Sequence, residues 1–294
     1  MKTKVIYHSA DFDGIFCREI AKQALQNQSL IAHDLNFIGW NHGDEKIPYN
    51  KEDITFILDL SPECLADYNG EVEENIFWID HHKTAIEKFN PLLKGYRIDG
   101  VAACRLTWQW FNNKLDLPNK EAFVNREVDE PLSVQLAGEY DVWDKRNYQA
   151  ELLQYALRSV ELTEDVWKNL LTLHDDLVTC NFLHNGVISR FYAGKMDDNL
   201  MKKSFILKWE GLTWLTINTG SFNSLTFKLR DLPETGHDAL LGFMFNGKNW
   251  MVSLYHARHR TDIDLSEIAK KYNGGGHRGA CGFTCKQLPF EIYQ

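Results

Sequence analysis

The sequence predicts an α/β protein with an N-terminal parallel sheet covered by helices on both faces and a smaller, mixed α/β domain at the C-terminal end. Three observations predict it. In the first third of the chain, short β-branched apolar runs end abruptly in acids or histidines and helical material follows each time. Short continuous apolar runs are the pattern of strands buried on both faces, and their alternation with helices points to a parallel sheet. Beyond residue 205 the texture changes to closely spaced strand-like runs with few helices between them. Finally, 294 residues is two domains' worth of chain, at roughly 100–200 residues per domain.

Taken in order, Val5-Ile6-Tyr7 reads as a strand running into His8, Asp11 and Asp13, with a helix over Ile15 to Leu25. Ile54 to Leu58 is the next strand and stops at Asp59. Asn75 to Ile79 is another and stops at Asp80-His81-His82. Residues 101–112 and 151–174 read as helices, and 180–203 as a long connecting helix. Then come strands at Ser204–Leu207, Leu212–Ile217, Ala239–Phe245 and Trp250–Tyr255, with helices at Phe222–Leu229 and Leu265–Tyr272. The expected division is 1–178 for the first domain, 179–204 for the connection and 205–294 for the second. In open parallel sheets ligands bind beyond the carboxyl ends of the strands, which is where the acids and histidines fall.

Composition narrows the function. The chain carries 32 basic and 41 acidic residues, a net charge of −9. Proteins that hold a long phosphate backbone are usually basic, so a small or short phosphorylated ligand fits better, with bound cations supplying positive charge. The imbalance lies in residues 1–150, with 16 basic against 25 acidic; residues 251–294 carry 6 against 4. No apolar stretch resembles a signal peptide or a membrane span. The six cysteines are scattered, and only Cys281 and Cys285 are close. Reduced, mostly buried thiols in a cytoplasmic protein are expected.

Each polar cluster has an ordinary reading as well as a chemical one. Asp11 and Asp13 suit a helix N-terminus, and Asp59 alone suits a turn. Asp80-His81-His82 has fewer structural uses, because an acid and two adjacent imidazoles at the end of a buried strand form a hard-to-borderline metal set. Asp141 and Asp144 flank Val142-Trp143, where one of them completes a ligand set or both end a helix. Together these residues suit two divalent cations that share a bridging carboxylate and clamp a phosphoryl group. Oxygen-rich ligation favours Mn²⁺, with Mg²⁺ the alternative. Near the C-terminal end, Asn273-Gly274-Gly275-Gly276-His277-Arg278 reads as a glycine-rich loop whose amides and two side chains grip an anion.

The order of these motifs resembles the DHH family of phosphoesterases, named for the triplet present here as Asp80-His81-His82. The chain has the His/Asp/Asp opening (His8, Asp11, Asp13), a single acid after a core strand (Asp59), the triplet, an acid near a tryptophan (Asp141), and the GGGH-x-x-A-x-G-F signature of the DHH-associated domain from Gly274 to Phe283. The resemblance implies a larger metal-binding domain and a smaller substrate-binding domain, with Mn²⁺-dependent hydrolysis of phosphoester or phosphoanhydride bonds in a cleft between them. Carried over by position, His8, Asp11 and Asp59 match the ligands of one metal. Asp13, Asp59, His81 and Asp141 match those of the other, with Asp59 bridging. Asp59, Asp80, His81 and His82 form the implied catalytic set, and His82 matches a histidine that contacts substrate phosphate. Gly275, Gly276, His277 and Arg278 fall in the substrate-gripping loop.

Three departures accompany the match. The spacing from His8 to Asp11 varies among relatives. The fourth motif offers both Asp141 and Asp144, and Asp141 is preferred because it directly precedes Val-Trp. Where many relatives place an arginine after the strand preceding the last helix, this chain has His256-Ala257-Arg258-His259-Arg260, so Arg258 or Arg260 takes that place. The expected substrates are short single-stranded oligonucleotides or small phosphorylated nucleotides, with Trp214, Trp250 and Tyr255 either stacking on bases or packing in the core. An exopolyphosphatase-like hydrolase and a non-catalytic nucleotide- or metal-binding module are the alternatives. No membrane partner is expected, and homodimerisation is left open.

Overall fold

The computed structural model describes residues 2–26, 34–112, 119–144, 146–172, 176–219, 236–257 and 259–292. The chain forms two compact units, Met1–Arg190 and Phe191–Gln294.

In the first unit, β1 (Thr3–His8) leads into α1 (Phe12–Gln26), followed by β2 (Leu35–Trp40), the two-residue β3 (Ile47–Pro48), β4 (Ile54–Leu58), the two-residue β5 (Leu65–Ala66) and β6 (Ile76–Ile79). Strands β2, β1, β4 and β6 form a parallel sheet in that order, and β3 pairs with β5 separately. Successive strand residues point to opposite faces, and both faces are buried. Val5, Phe56, Leu58 and Ile79 pack in one core with Phe16, Cys17 and Ile20 of α1. Ile6, Ile57, Ile76 and Trp78 pack in another with Trp40 and Leu65. The chain passes from β1 to β2 on one side and to β4 on the other. That reversal puts a topological switch point between the carboxyl ends of β1 and β4.

Helices complete this unit: α2 (Lys83–Lys88), α3 (Ala103–Phe111), α4 (Lys120–Val124), α5 (Leu132–Asp141), α6 (Gln149–Ser159), α7 (Glu164–Leu170) and α8 (Asp176–Met201). The helix expected over 151–174 is in fact α6 and α7, because the chain is extended at Val160 and Thr163. Thr163 then caps α7 by accepting the Val166 N–H. The division between the two units falls inside α8.

The second unit contains β7 (Phe205–Trp209), β8 (Leu212–Asn218), β9 (Ala239–Phe245), β10 (Trp250–His256), α9 (Ser266–Lys271), β11 (Gly275–His277) and β12 (Ala280–Cys285). Its mixed sheet runs β11-β12-β10-β9-β8-β7, parallel only between β8 and β9. Trp214 is fully buried with Phe243 and Leu254, so it is a core residue and no stacking platform. The glycine-rich run expected as a loop forms the edge strand β11, paired antiparallel with β12. Gly276 has φ of +131°, and a Cβ there would meet the Cys281 backbone, so glycine is required for this pairing. The helix expected over 222–229 lies outside the described residues. No described helix is long and apolar enough to cross a membrane.

Candidate metal centre

The carboxyl ends of the parallel strands gather the polar residues. His8 is the last residue of β1, Asp59 follows β4, and Asp80-His81-His82 follow β6. Asp11 and Asp13 lie at the start of α1, and Asp141 is the last residue of α5. Gly14 lets α1 start tightly against β1, since a Cβ there would lie 1.9 Å from the His8 carbonyl oxygen. Asp11 accepts the Gly14 N–H at 3.3 Å, so the helix-start reading and the chemical reading apply to the same side chain.

Asp59 is the centre of the arrangement. Its backbone is left-handed, with φ of +57°, an uncommon conformation for a residue other than glycine. Its side chain is 2% exposed. Oδ2 lies 3.5 Å from Nδ1 of His8, which is itself 3.1 Å from Asp11. Oδ1 lies 3.4 Å from Nε2 of His81, which is also 3.4 Å from Asp141 and 3.7 Å from Asp13. One carboxylate thus turns its two oxygens toward two separate sets of nitrogen and oxygen donors. Among the described residues, three such sets have ligand atoms mutually within 4.8 Å: His8, Asp11 and Asp59; Asp13, His81 and Asp141; and Asp59, His81 and His82.

Close packing shifts the titration of several groups in this cluster. Hydrogen bonds to Asp11 and Asp59 push His8 up to about 10. Burial pulls His81 down, but the Asp59 carboxylate close to its Nε2 and the charges of Asp13 and Asp141 outweigh it and raise it to about 10. Burial lifts Asp13 well above the usual carboxylate range, reinforced by the charges of Asp59 and Asp141. Burial likewise lifts Asp141 to about 6. Burial also works against the charged form of Asp59, yet His8 and His81 hold its carboxyl below the ordinary value. Strong shifts of several groups at one point mark a candidate functional site.

Divalent cations fit this cluster. The Oδ1 atom of Asp59 is buried without a hydrogen-bond partner, an expensive state for a carboxylate oxygen unless a cation or proton satisfies it. The donors are imidazole nitrogens and carboxylate oxygens, which suit Mn²⁺ or Mg²⁺ better than a soft metal. Cys17 and Cys104 are buried nearby, but desolvation and the Asp13 charge keep both as thiols in the bare chain.

Two supporting features carry little signal in the sequence. Both carboxylate oxygens of Asp13 accept backbone N–H groups from the first turn of α3, Ala103 at 2.9 Å and Cys104 at 2.8 Å. Backbone amides are present in every residue, so only the fold reveals this anchor. Asp80 is fully buried, and its Oδ1 accepts the backbone N–H groups of His81 and His82 together with Nδ1–H of His82 at 2.7 Å. Asp80 therefore orients His82, whose pKa it also raises.

Other expected site residues lie elsewhere. Asp144 pairs with Arg146 at 2.6 Å and belongs to none of the three donor sets. In the second unit, Gly275, Gly276, His277 and Arg278 are exposed around the β11–β12 turn. Arg278 donates to the Asp262 carbonyl. The Arg260 guanidinium is taken up by Asp238 and Asp262, so its charge is already balanced by two carboxylates. Arg258 lies outside the described residues.

No protein-family model matches the chain. Oligoribonuclease NrnB of Bacillus subtilis (strain 168) is 26% identical to it over 318 residues, spanning 98% of this chain and 74% of that protein. This likeness spans the strand ends that carry His8, Asp59 and Asp80-His81-His82. The chain is similar to an oligoribonuclease over nearly its whole length. Among solved structures, the pGpG-specific phosphodiesterase PggH of Vibrio cholerae matches with a TM-score of 0.50 at 17% identity, covering 97% of this chain and 94% of that one. That likeness is one of fold and takes in residues of both units. Exonuclease RecJ bound to manganese aligns with a TM-score of 0.47 at 13% identity, covering 97% of this chain and 86% of that one.

Proposed function

We propose that this chain is a DHH-type hydrolase that uses two divalent cations, Mn²⁺ foremost, to cleave phosphoester bonds in short oligonucleotides or small phosphorylated nucleotides. The observation that carries the reading is the Asp59 carboxylate, whose oxygens face His8 on one side and His81 on the other. His8, Asp11 and Asp59 would hold one cation; Asp13, Asp59, His81 and Asp141 would hold the second. Such a pair lowers the pKa of a water and stabilises the attacking and leaving oxygens of an in-line displacement.

The chain's own residues supply placement. The α3 amides fix Asp13, and Asp80 holds His82 through Nδ1, leaving Nε2 free to contact substrate phosphate. His277 and Arg278 are proposed to grip a further phosphate, with Gly275 and Gly276 allowing close approach. Arg260, neutralised by its acids, organises the loop before α9. The net charge of −9 and the name of the Bacillus relative both favour a short substrate. Six free cysteines suit action in the cytoplasm.

The test is hydrolysis by the purified chain with Mn²⁺, Mg²⁺ or Co²⁺ and with chelator. The panel contains labelled oligonucleotides, a nucleoside bisphosphate and polyphosphate. Cation-dependent release of mononucleotides supports the proposal. Cation binding with no turnover on any substrate would leave a sensor instead, and preference for polyphosphate would favour the exopolyphosphatase-like alternative.

A further inference from the structure

A cavity of about 240 Å³ opens in the first unit and is assigned no role by the cation centre. Asp59 and His82 form part of its wall, so it adjoins the donor set Asp59, His81 and His82. A substrate phosphate bound at His82 would stand at its mouth, with whatever the ester oxygen carries directed to one side or the other.

The lining restricts what can enter. Leu60 and Phe89 supply apolar surface. The Phe89 ring is fixed edge-on to Trp78, with centroids 5.9 Å apart and planes at 76°. Ser61 and Thr84 add hydroxyl groups, each able to donate and accept. The charged groups of the wall are largely committed: Asp80 to His82, Asp59 to the donor sets and Glu63 to Lys88, with His42 the further imidazole. Asp59, Glu63 and Asp80 contribute carboxylates, and the one lysine in the wall, Lys88, already pairs with Glu63 at 2.7 Å. A second phosphate there would find no unpaired ammonium or guanidinium in the wall. A neutral group with flat apolar faces and hydrogen-bonding edges needs none, and the space suits one such group.

We propose that this cavity receives the nucleoside attached to the scissile phosphate and so selects nucleotides over inorganic polyphosphate. The inference rests on the phosphohydrolase reading above. The phosphate is held by His82 and the cations, while sugar and base lie against Leu60 and Phe89 within reach of Ser61 and Thr84.

The experiment compares three substrates: a dinucleotide, the same dinucleotide lacking the base of its departing nucleotide, and polyphosphate. With Mn²⁺ the intact dinucleotide should exceed the abasic one in kcat/KM by roughly tenfold or more, and polyphosphate should be poorest. Thr84 is exposed on α2, so Thr84→Trp can fill the cavity without entering the core, and it should collapse the preference for the intact dinucleotide. Ser61→Gln intrudes from the turn after β4 and should act in the same direction. Binding is measured separately, by calorimetry with guanosine monophosphate and inorganic phosphate in the presence of Mn²⁺. The nucleotide should bind the native chain more tightly than phosphate, and Thr84→Trp should erase the difference. If nothing is hydrolysed yet this binding difference appears, the cavity stands and the hydrolase reading falls. Equal handling of intact and abasic dinucleotides, or equal binding of nucleotide and phosphate by the native chain, would overturn the proposal.

Discussion

Nε2 of His81 lies 3.4 Å from Oδ1 of Asp59, an oxygen buried without a hydrogen-bond partner, while the other oxygen of Asp59 faces His8 at 3.5 Å. Removing the Asp59 charge should therefore affect both donor sets at once. Asp59→Asn is expected to abolish measurable binding of both cations and to exceed the roughly 10–100-fold losses typical of supporting residues. Calorimetric titration with Mn²⁺ checks this. Retention of one tight cation would show that Asp59 does not bridge.

The parts of this arrangement that depend on side-chain pattern are legible in the sequence. Val5 and Ile6 point into different cores, and a strand buried on both faces has to be written as a continuous apolar run. The strand-end position of Asp59 and of the Asp80-His81-His82 triplet follows from where those runs stop. β2 escapes notice because Leu35–Trp40 mixes Asn36 and Gly39 with apolar residues and is only partly buried at the sheet edge. Residues 151–174 hide their break because apolar positions continue through Val160 and Leu162, and tertiary packing sets the interruption. The tie between Asp13 and α3 spans 90 residues through backbone amides, which no residue pattern reports. Arg260 is equally opaque: its partner Asp238 is distant in sequence, so the pairing exists only in the fold.

The fourth motif gives a direct contrast. Asp141 approaches His81 at 3.4 Å, whereas Asp144 is bound to Arg146. Asp141→Asn should weaken one cation site and reduce activity strongly. Asp144→Asn should remove only a part-exposed ion pair, with little effect on stability and near-native cation binding. Parallel Mn²⁺ titrations and thermal melts distinguish them, and a greater loss of metal in Asp144→Asn would reverse the assignment.

The α3 amides offer a test of how Asp13 is held. Ala103 is the first residue of α3, a position that tolerates proline, and Ala102 has the extended backbone that precedes proline readily. Ala103→Pro removes one N–H from Asp13 while keeping the helix start. Cation affinity should fall by up to about 10–100-fold, as for other outer-shell losses, with helical circular dichroism unchanged. Unaltered affinity in a folded variant would show that the amide is dispensable.

The bare centre also predicts an unusual pH dependence of stability. In the folded chain His8 and His81 are each pushed up to about 10 from 6.5. The folded state therefore holds protons that the unfolded state releases. The stabilisation is fully present below pH 6.5 and is lost as pH rises through 10. With chelator present, Tm should decline across that window. Saturating Mn²⁺ should reverse the trend, because cations compete with protons for the same nitrogens and carboxylates. Scanning calorimetry at fixed ionic strength checks both limbs. A flat or rising Tm in chelator would contradict the predicted protonation of the histidines.

Substrate length follows from where positive charge is available. In residues 251–294 the formal charges are 6 basic against 4 acidic, and Arg260 is already committed to Asp238 and Asp262. On the proposed reading, His277 and Arg278 suffice for a phosphate or two but not for a long backbone. The first unit adds no basic track, since residues 1–150 carry 25 acidic against 16 basic residues. A long strand would add phosphates that a chain of net charge −9 does not offset. Activity per molecule should therefore fall as oligonucleotides lengthen beyond a few residues. The salt dependence of KM should be shallow, because each phosphate neutralised by side chains contributes about 0.7 to the logarithmic slope for a single strand. A series from two to about twenty-five nucleotides, measured at several salt concentrations with Mn²⁺ held constant, gives both numbers. Preference for the longest strand with a steep slope would mean that the chain tracks a backbone by a surface these charges do not provide.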